Sequence, residues 1–341
     1  MLNYTIHRIL IMIPTLLVIS FVTFVIIQLP PGDFLSNQIA ELKSAGELAA
    51  LERVEFLRRE FGLDKPFMEQ YAVWLGIWPG ANGFSGLIQG DWGWSFEHDL
   101  PVKEVVGDRL MLTFILNFST IMFTWAVAFP IGVYAATHQY SWGDHGLTLL
   151  GYIGLATPNF LLALVLMYFA NVQFGLAIGG IMDPEYLGKP WSWAKAGSVL
   201  DHLWIPVIVI GTSGTAAMIR RLRANLLDEL QKQYVVTARA KGMPPTRLLL
   251  KYPLRMALNP FIADIGSLLP SIISGSAIVA VVLSLQTSGP MLLDALQSQD
   301  LYLAGSFLMF LSLLAVIGTF ISDLLLAVLD PRIRLTGGMV K

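Results

Sequence analysis

Six long stretches without a single charged residue constrain this chain more than any other feature. Ile9–Leu29, Leu110–Thr137, Gly146–Met182, Leu203–Ile219, Ile265–Leu293 and Leu301–Ser322 hold no Asp, Glu, Lys or Arg and are rich in aliphatic and aromatic side chains. A helix crossing the hydrocarbon of a bilayer needs about 20 mostly apolar residues. Five stretches reach that length, and the shorter fourth is bounded by Asp201 and the Arg220-Arg221 pair. The third is long enough for a helix plus a re-entrant or extramembrane piece. With only 13% of its 341 residues charged, against about 25% in an average soluble domain, the chain cannot make the polar skin of a soluble globule. We read an all-α integral membrane protein with six transmembrane helices.

The first run is 21 residues long, beyond the 7–15 of a signal peptide, and no small-residue cleavage site follows it. It reads as a retained anchor. Lysines and arginines give the orientation. With the N-terminus inside, 13 of the 22 basic residues fall on inside segments, nine of them between Arg220 and Arg255. The long outside segment carries thirteen Asp or Glu. An N-in, C-in topology is expected. Prolines lie in five of the six runs (Pro14, Pro130, Pro158, Pro206 and Pro270), and each removes a helical hydrogen bond and bends the helix. They fit either irregular packing or a bundle bent around a pathway.

Three parts follow: a tail and first span over 1–30, an outside segment over 31–109, and a five-helix core over 110–341 with a basic loop at 220–258. In the outside segment, Gln38 to Phe61 has apolar residues at helical spacing, Gly62 can end that helix, and Asp64-Lys-Pro opens the next. Trp74 to Phe96 reads as turns with aromatics, either an interfacial belt or a docking surface. No internal repeat is evident. The chain has no cysteine, which removes disulfides, thiolate metal sites and cysteine nucleophiles.

The basic loop is the most informative part. Tyr234 to Ala240 reads as a short helix with small alanines, Gly242 stops it in a left-handed cap, and Pro244-Pro245 can start a second, amphipathic helix. Two helices and a rigid turn make a protrusion another protein can grip, while an ordinary positive-inside loop remains an alternative. Net charge is −2, and topology already accounts for the loop's basicity, so no nucleic-acid partner is expected.

Thr237-Ala-Arg-Ala-Lys-Gly, with the Leu-rich basic stretch and Asn259-Pro260 after it, resembles the EAA-type loop of ABC importer permeases. More narrowly it is similar to the dipeptide/oligopeptide permease family. Ile13-Pro14-Thr15, Pro31-Gly32-Asp33, Gly90-Asp-Trp-Gly-Trp-Ser-Phe, Ala156-Thr-Pro-Asn-Phe and Leu329-Asp-Pro-Arg-Ile-Arg also match, in order, along nearly the whole chain. The resemblance implies a type I importer permease fold in a bacterial or archaeal inner membrane. It implies a second, usually unlike permease, two ATP-binding subunits, an external substrate-binding protein, and translocation of peptides, with oligosaccharides, nickel or opines as alternative cargoes. By the same resemblance Ala238, Ala240 and Gly242 form the coupling contact, beside Thr237, Arg239 and Lys241. Ala238 stands where the named motif has Glu, so no ion pair is assigned there.

No cofactor is expected on this chain: there is no G-x-x-x-x-G-K-[ST], and Gly188-Lys189 is followed by Pro190, so ATP and magnesium belong to partner subunits. Gly211-Thr-Ser-Gly fits the surroundings of an intramembrane protease serine, but no histidine follows Ser213, and small residues that let helices pack explain it better. No metal site is expected from His138 and His145. Asp264 and Asp323 border apolar spans and either pair with loop arginines or gate. So few intramembrane ionisable groups speak against an ion-coupled secondary transporter, the remaining alternative. For the solute path we assign Pro158, Asn159, Phe160 and the Gly275 region.

Overall fold

The computed structural model describes residues 2–29, 34–35, 39, 48–80, 83–175, 179–186, 189–274 and 276–329. They form two compact units, one of residues 1–111 and 288–317, the other of residues 112–287 and 318–341. Gly275 lies outside the described residues, as do Arg332, Arg334 and Lys341.

In the first unit, helix α1 (Leu2–Gln28) is apolar along nearly its whole length. Helix α2 (Leu48–Glu60) ends where the sequence predicts: Gly62 is left-handed, and Leu63 N–H closes on Arg58 O at 2.9 Å. Helix α3 (Phe67–Leu75) begins after Pro66. The aromatic turns beyond it lead to a two-stranded hairpin, β1 (Trp94–Ser95) with β2 (Leu100–Pro101), paired Trp94 to Pro101 and Ser95 to Leu100. Helix α4 (Val102–Thr137) starts at once and passes from this unit into the second.

The second unit holds α5 (Trp142–Ala156), α6 (Asn159–Phe174), α7 (Trp193–Leu230), α8 (Gln233–Ala240), α9 (Pro245–Lys251), α10 (Pro253–Ala257), α11 (Asn259–Ala263), α12 (Ile265–Ser274) and α13 (Ala277–Val282). Helix α14 (Ser288–Gln297) belongs to the first unit, and α15 (Leu301–Leu329) runs through both. The second unit's larger core packs Leu112, Leu116, Val199, Val209 and Val279 with Ala163 and Ala170. A smaller one joins Ala136, Leu222, Leu226, Ala257 and Phe261.

Four described helices are long and apolar enough to cross a membrane: α1, α4, α7 and α15. The third apolar run is two helices, α5 and α6, bent by 97° at Thr157-Pro158, and they make a fifth span if counted together. Pro158 cannot donate the N–H an unbroken helix needs, and Leu161 and Leu162 N–H restart the ladder on Pro158 O. The run Ile265–Leu293 is divided. Helix α13 stops where Ser284 turns left-handed (φ 52°) and Leu285 N–H returns to Ala280 O at 2.8 Å. Helix α7 exceeds its apolar run at both ends; its 38 residues extend about 57 Å at 1.5 Å per residue, well beyond one bilayer.

Candidate functional site: the basic loop and its root

The loop grows directly from the end of α7. Helix α8 begins two residues after Gln231 caps α7, and it closes in a Schellman motif. Met243 N–H bonds Ala238 O at 3.3 Å, Gly242 N–H bonds Arg239 O at 3.0 Å, and Gly242 is left-handed (φ 75°). Those bonds and that backbone define the motif, and its usual apolar contact is present too: Met243 packs on Ala238, Val235 and Leu248. Pro245 then occupies the first turn of α9, where its missing N–H is not needed.

Three side chains form this protrusion's core, Val235, Ala238 and Leu248, each under 10% exposed. The turn is open: Thr237, Arg239, Ala240, Lys241 and Gly242 are all exposed. A methyl built on Gly242 meets nothing within 4 Å, so glycine is needed there for its backbone conformation and not for space. Ala238 is therefore split from its neighbours, facing the loop's own core while Ala240 faces outward. Tyr234 donates its hydroxyl to Glu229, and partial burial together with that carboxylate holds its phenol above the ordinary range.

Two arginines fix the root of the loop. Arg221 pairs with Asp264 just after α11, reaches Pro260 O at 3.4 Å, and lies over the Phe261 ring at 5.1 Å. Of the two readings of Asp264, pairing with an arginine is the one observed. Arg223 makes a two-pronged bond with Asp144, Nε to Oδ1 at 2.9 Å and Nη2 to Oδ2 at 2.8 Å, a geometry that adds specificity as well as energy. Asp144 is almost wholly buried, and its oxygens also accept Tyr140 N–H and the Thr148 hydroxyl. Sequence reasoning missed this pair. Ser141, which caps α5 through Asp144 N–H, marks the helix start, but nothing local links it to an arginine 79 residues away.

The assigned path residues sit elsewhere, at the elbow between α5 and α6. Pro158 caps α6, Asn159 Nδ2 reaches Ser213 Oγ on α7 at 3.4 Å, and Phe160 is half exposed. Ser213 also donates to Ile210 O in its own helix. His202 lies eleven residues earlier on that helix, about 16 Å along its axis, too far to act as a base for Ser213.

The match to known proteins covers the chain in two pieces. Residues 128–335 fit the family described as binding-protein-dependent transport system inner membrane component, and residues 1–117 fit its N-terminal companion. The chain belongs to this family and is a multi-pass inner-membrane permease component. It is 33% identical over 333 residues to the oligopeptide transport system permease protein AppB of Bacillus subtilis, covering 97% of this chain and 99% of that one. It is 30% identical over 351 residues to the dipeptide transport system permease protein DppB of Escherichia coli, covering 98% and 99%. To the glutathione transport system permease protein GsiC of Pectobacterium atrosepticum it is 31% identical over 336 residues, again covering 98% and 99%.

Proposed function

We propose that this chain is the conducting subunit of an ATP-driven importer, with six spans in the type I arrangement and both termini in the cytoplasm of a bacterial or archaeal cell. The divided Ile265–Leu293 region supplies the sixth crossing. The chain pairs with a second, usually unlike permease. Two ATP-binding subunits hold α8 and α9 at Thr237 to Gly242, and an external binding protein delivers the solute. ATP and magnesium act on those partners, and this chain performs no chemistry. Oligopeptides or dipeptides are the proposed cargo, supported by the names of the relatives at 30–33% identity; oligosaccharides, nickel and opines are the alternatives within the family.

One observation carries the coupling role: a rigid Schellman turn presents Arg239, Ala240, Lys241 and Gly242 to the outside while Ala238 and Met243 secure it from behind. A short loop held this way moves as a body. Closing the partner ATPases on ATP brings the loops together and opens the path outward, and hydrolysis resets it. Pro158, Asn159 and Phe160 at the elbow, with the Gly275 region, are the proposed lining of that path.

The test is co-purification from native membranes through a C-terminal tag. Recovery of a Walker-motif ATPase and a second permease, both lost from Gly242→Asp at normal abundance, is expected. A chain that emerges intact and alone overturns the reading and favours the ion-coupled transporter.

A further inference from the structure

Three arginines fall within four residues where the apolar run of α7 ends: Arg220, Arg221 and Arg223. Two of them are spent inside this chain, Arg221 on Asp264 and Arg223 on the buried Asp144. Arg220 is exposed and has no hydrogen bond or ion pair among the described residues. A cation at the edge of a membrane-crossing helix that finds no carboxylate in its own chain calls for an anion from elsewhere.

Its surroundings narrow what that anion is. Helices α5 and α7 run antiparallel: Asp144 meets Arg223, Gly151 faces Ala216 and Gly154 faces Thr212. Side chains lean towards the N-terminus of their own helix, so Arg220 on α7 and Tyr152 on α5 lean towards each other. With Arg223 they border one notch of about 120 Å³, whose floor is the apolar Leu147, Leu155, Ala216 and Ile219. The Tyr152 hydroxyl, like Arg220, has no partner among the described residues, and Tyr152 is 54% exposed. The notch is amphipathic: a free guanidinium and a free phenol stand at its rim, over a hydrocarbon floor.

The depth of the notch is marked as well. Trp142, the first residue of α5, is 92% exposed and Tyr140 is 74% exposed, and such rings collect at the level of lipid headgroups. Both lie beside the Asp144–Arg223 pair. Arg220 stands about 4.5 Å further into the apolar run than Arg223. Beyond it the outward side chains Leu149, Leu150 and Ile153 are each more than half exposed. Lipid phosphates occur at this level, whereas a carboxylate on a neighbouring helix would itself be costly there. A guanidinium grips phosphate through two parallel N–H bonds, and basic pockets between membrane helices take anionic headgroups.

We propose that this notch binds one anionic phospholipid, phosphatidylglycerol or cardiolipin. Arg220 holds the phosphate, the Tyr152 hydroxyl donates to it, and the first methylenes of an acyl chain lie over Leu155 and Ile219. A lipid seated there bridges α5 and α7 next to the Asp144–Arg223 pair. The proposal needs only that α7 crosses the bilayer, and it rests neither on the coupling role nor on the cargo.

The test is lipid retention by the full-length chain, extracted from native membranes with whatever subunits accompany it and read by native mass spectrometry. The thermal midpoint in phosphatidylcholine nanodiscs, with and without phosphatidylglycerol, is the second readout. The native chain should retain phosphatidylglycerol or cardiolipin, and its midpoint should rise when phosphatidylglycerol is present. Arg220→Gln should lose several-fold of the retained lipid together with that rise, and Tyr152→Phe a smaller part. Arg247→Gln, which removes an equal charge from the exposed face of α9, should keep both. Residues 220 and 152 are exposed and unpartnered within the described chain, so both variants should fold. No anionic lipid on the native chain, unchanged retention in Arg220→Gln, or a rise reproduced by inorganic phosphate alone overturns the proposal. So does an Arg220→Gln chain that keeps its lipid but loses a co-purified subunit, which would make the notch a protein interface.

Discussion

The hairpin end of the first unit and the basic loop of the second are held by opposite means. Around the hairpin, Asp300 is fully buried and saturated: Ser95 Oγ donates to it at 2.7 Å, Glu97 N–H at 3.2 Å and Leu303 N–H at 3.1 Å. One carboxylate thus ties β1 and the turn after it to the start of α15 and caps that helix. The aromatic rings of Phe61, Phe96 and Tyr302 pack edge-on beside it. The loop at 233–251 has three buried side chains and one turn motif, and the outward face of its turn is left polar and small. A region complete in itself spends its polar groups internally. The basic loop, proposed above to be held by a partner, keeps its surface open and takes its stiffness from backbone geometry and from its root.

The largest stability effect should come from that root. Arg223→Ala leaves the buried Asp144 without its cation, and breaking a buried pair costs about 3–5 kcal/mol. A matching fall in thermal midpoint is expected in nanodiscs, while Arg221→Ala, whose pair is half exposed, should cost no more than about 1 kcal/mol. Equal effects would erase the distinction between the two anchors. Next is Asp300→Ala, which removes a helix cap and should cost about 1–2 kcal/mol.

Asp300 also has a pH signature. Burial pushes its carboxyl up against the opposing effect of its hydrogen bonds. A raised folded value means that its contribution to stability is whole below the unfolded pKa of about 3.9 and is lost as pH rises through the folded value. A thermal midpoint that falls across that window in the native chain and stays flat in Asp300→Ala is the expected outcome.

Smaller in stability but larger in function is Gly242→Asp. The left-handed backbone costs a non-glycine residue about 1–2 kcal/mol, and space is open for the side chain. The variant should fold and insert with no stability loss beyond that backbone cost, yet lose uptake. Uptake at the native rate and normal abundance would remove the loop from its role. Smallest of all is Tyr234→Phe. The native phenol should resist spectroscopic titration above its ordinary range, and its loss should change stability by about 0.5 kcal/mol or less, as expected of an exposed site.

Much of this was legible in the sequence where the cause is local. The apolar runs in α1, α4 and α15 declare themselves because hydrocarbon admits little else, and Gly242 with Pro244-Pro245 announces the turn. The end of α2 at Gly62 is equally local. Other features were not legible because their causes lie far off in the chain. A proline in an apolar run signals a bend but not one of 97°. The Asp300–Ser95 bond joins residues 205 apart. The end of α13 uses a left-handed serine where glycine is the usual sign. Charged residues hid the full length of α7, since a helix continues past the bilayer where its flanks turn polar.

The elbow at Pro158 has a mechanical consequence. Helix α5 is tied near its first turn to Arg223, on α7 ahead of α8, and its other end joins α6 at nearly a right angle. Two rods joined in this way behave as a bell crank. A pull along the length of α5 reaches α6 broadside, and a lengthwise tug at one end of the molecule becomes a sideways sweep at Asn159 and Phe160.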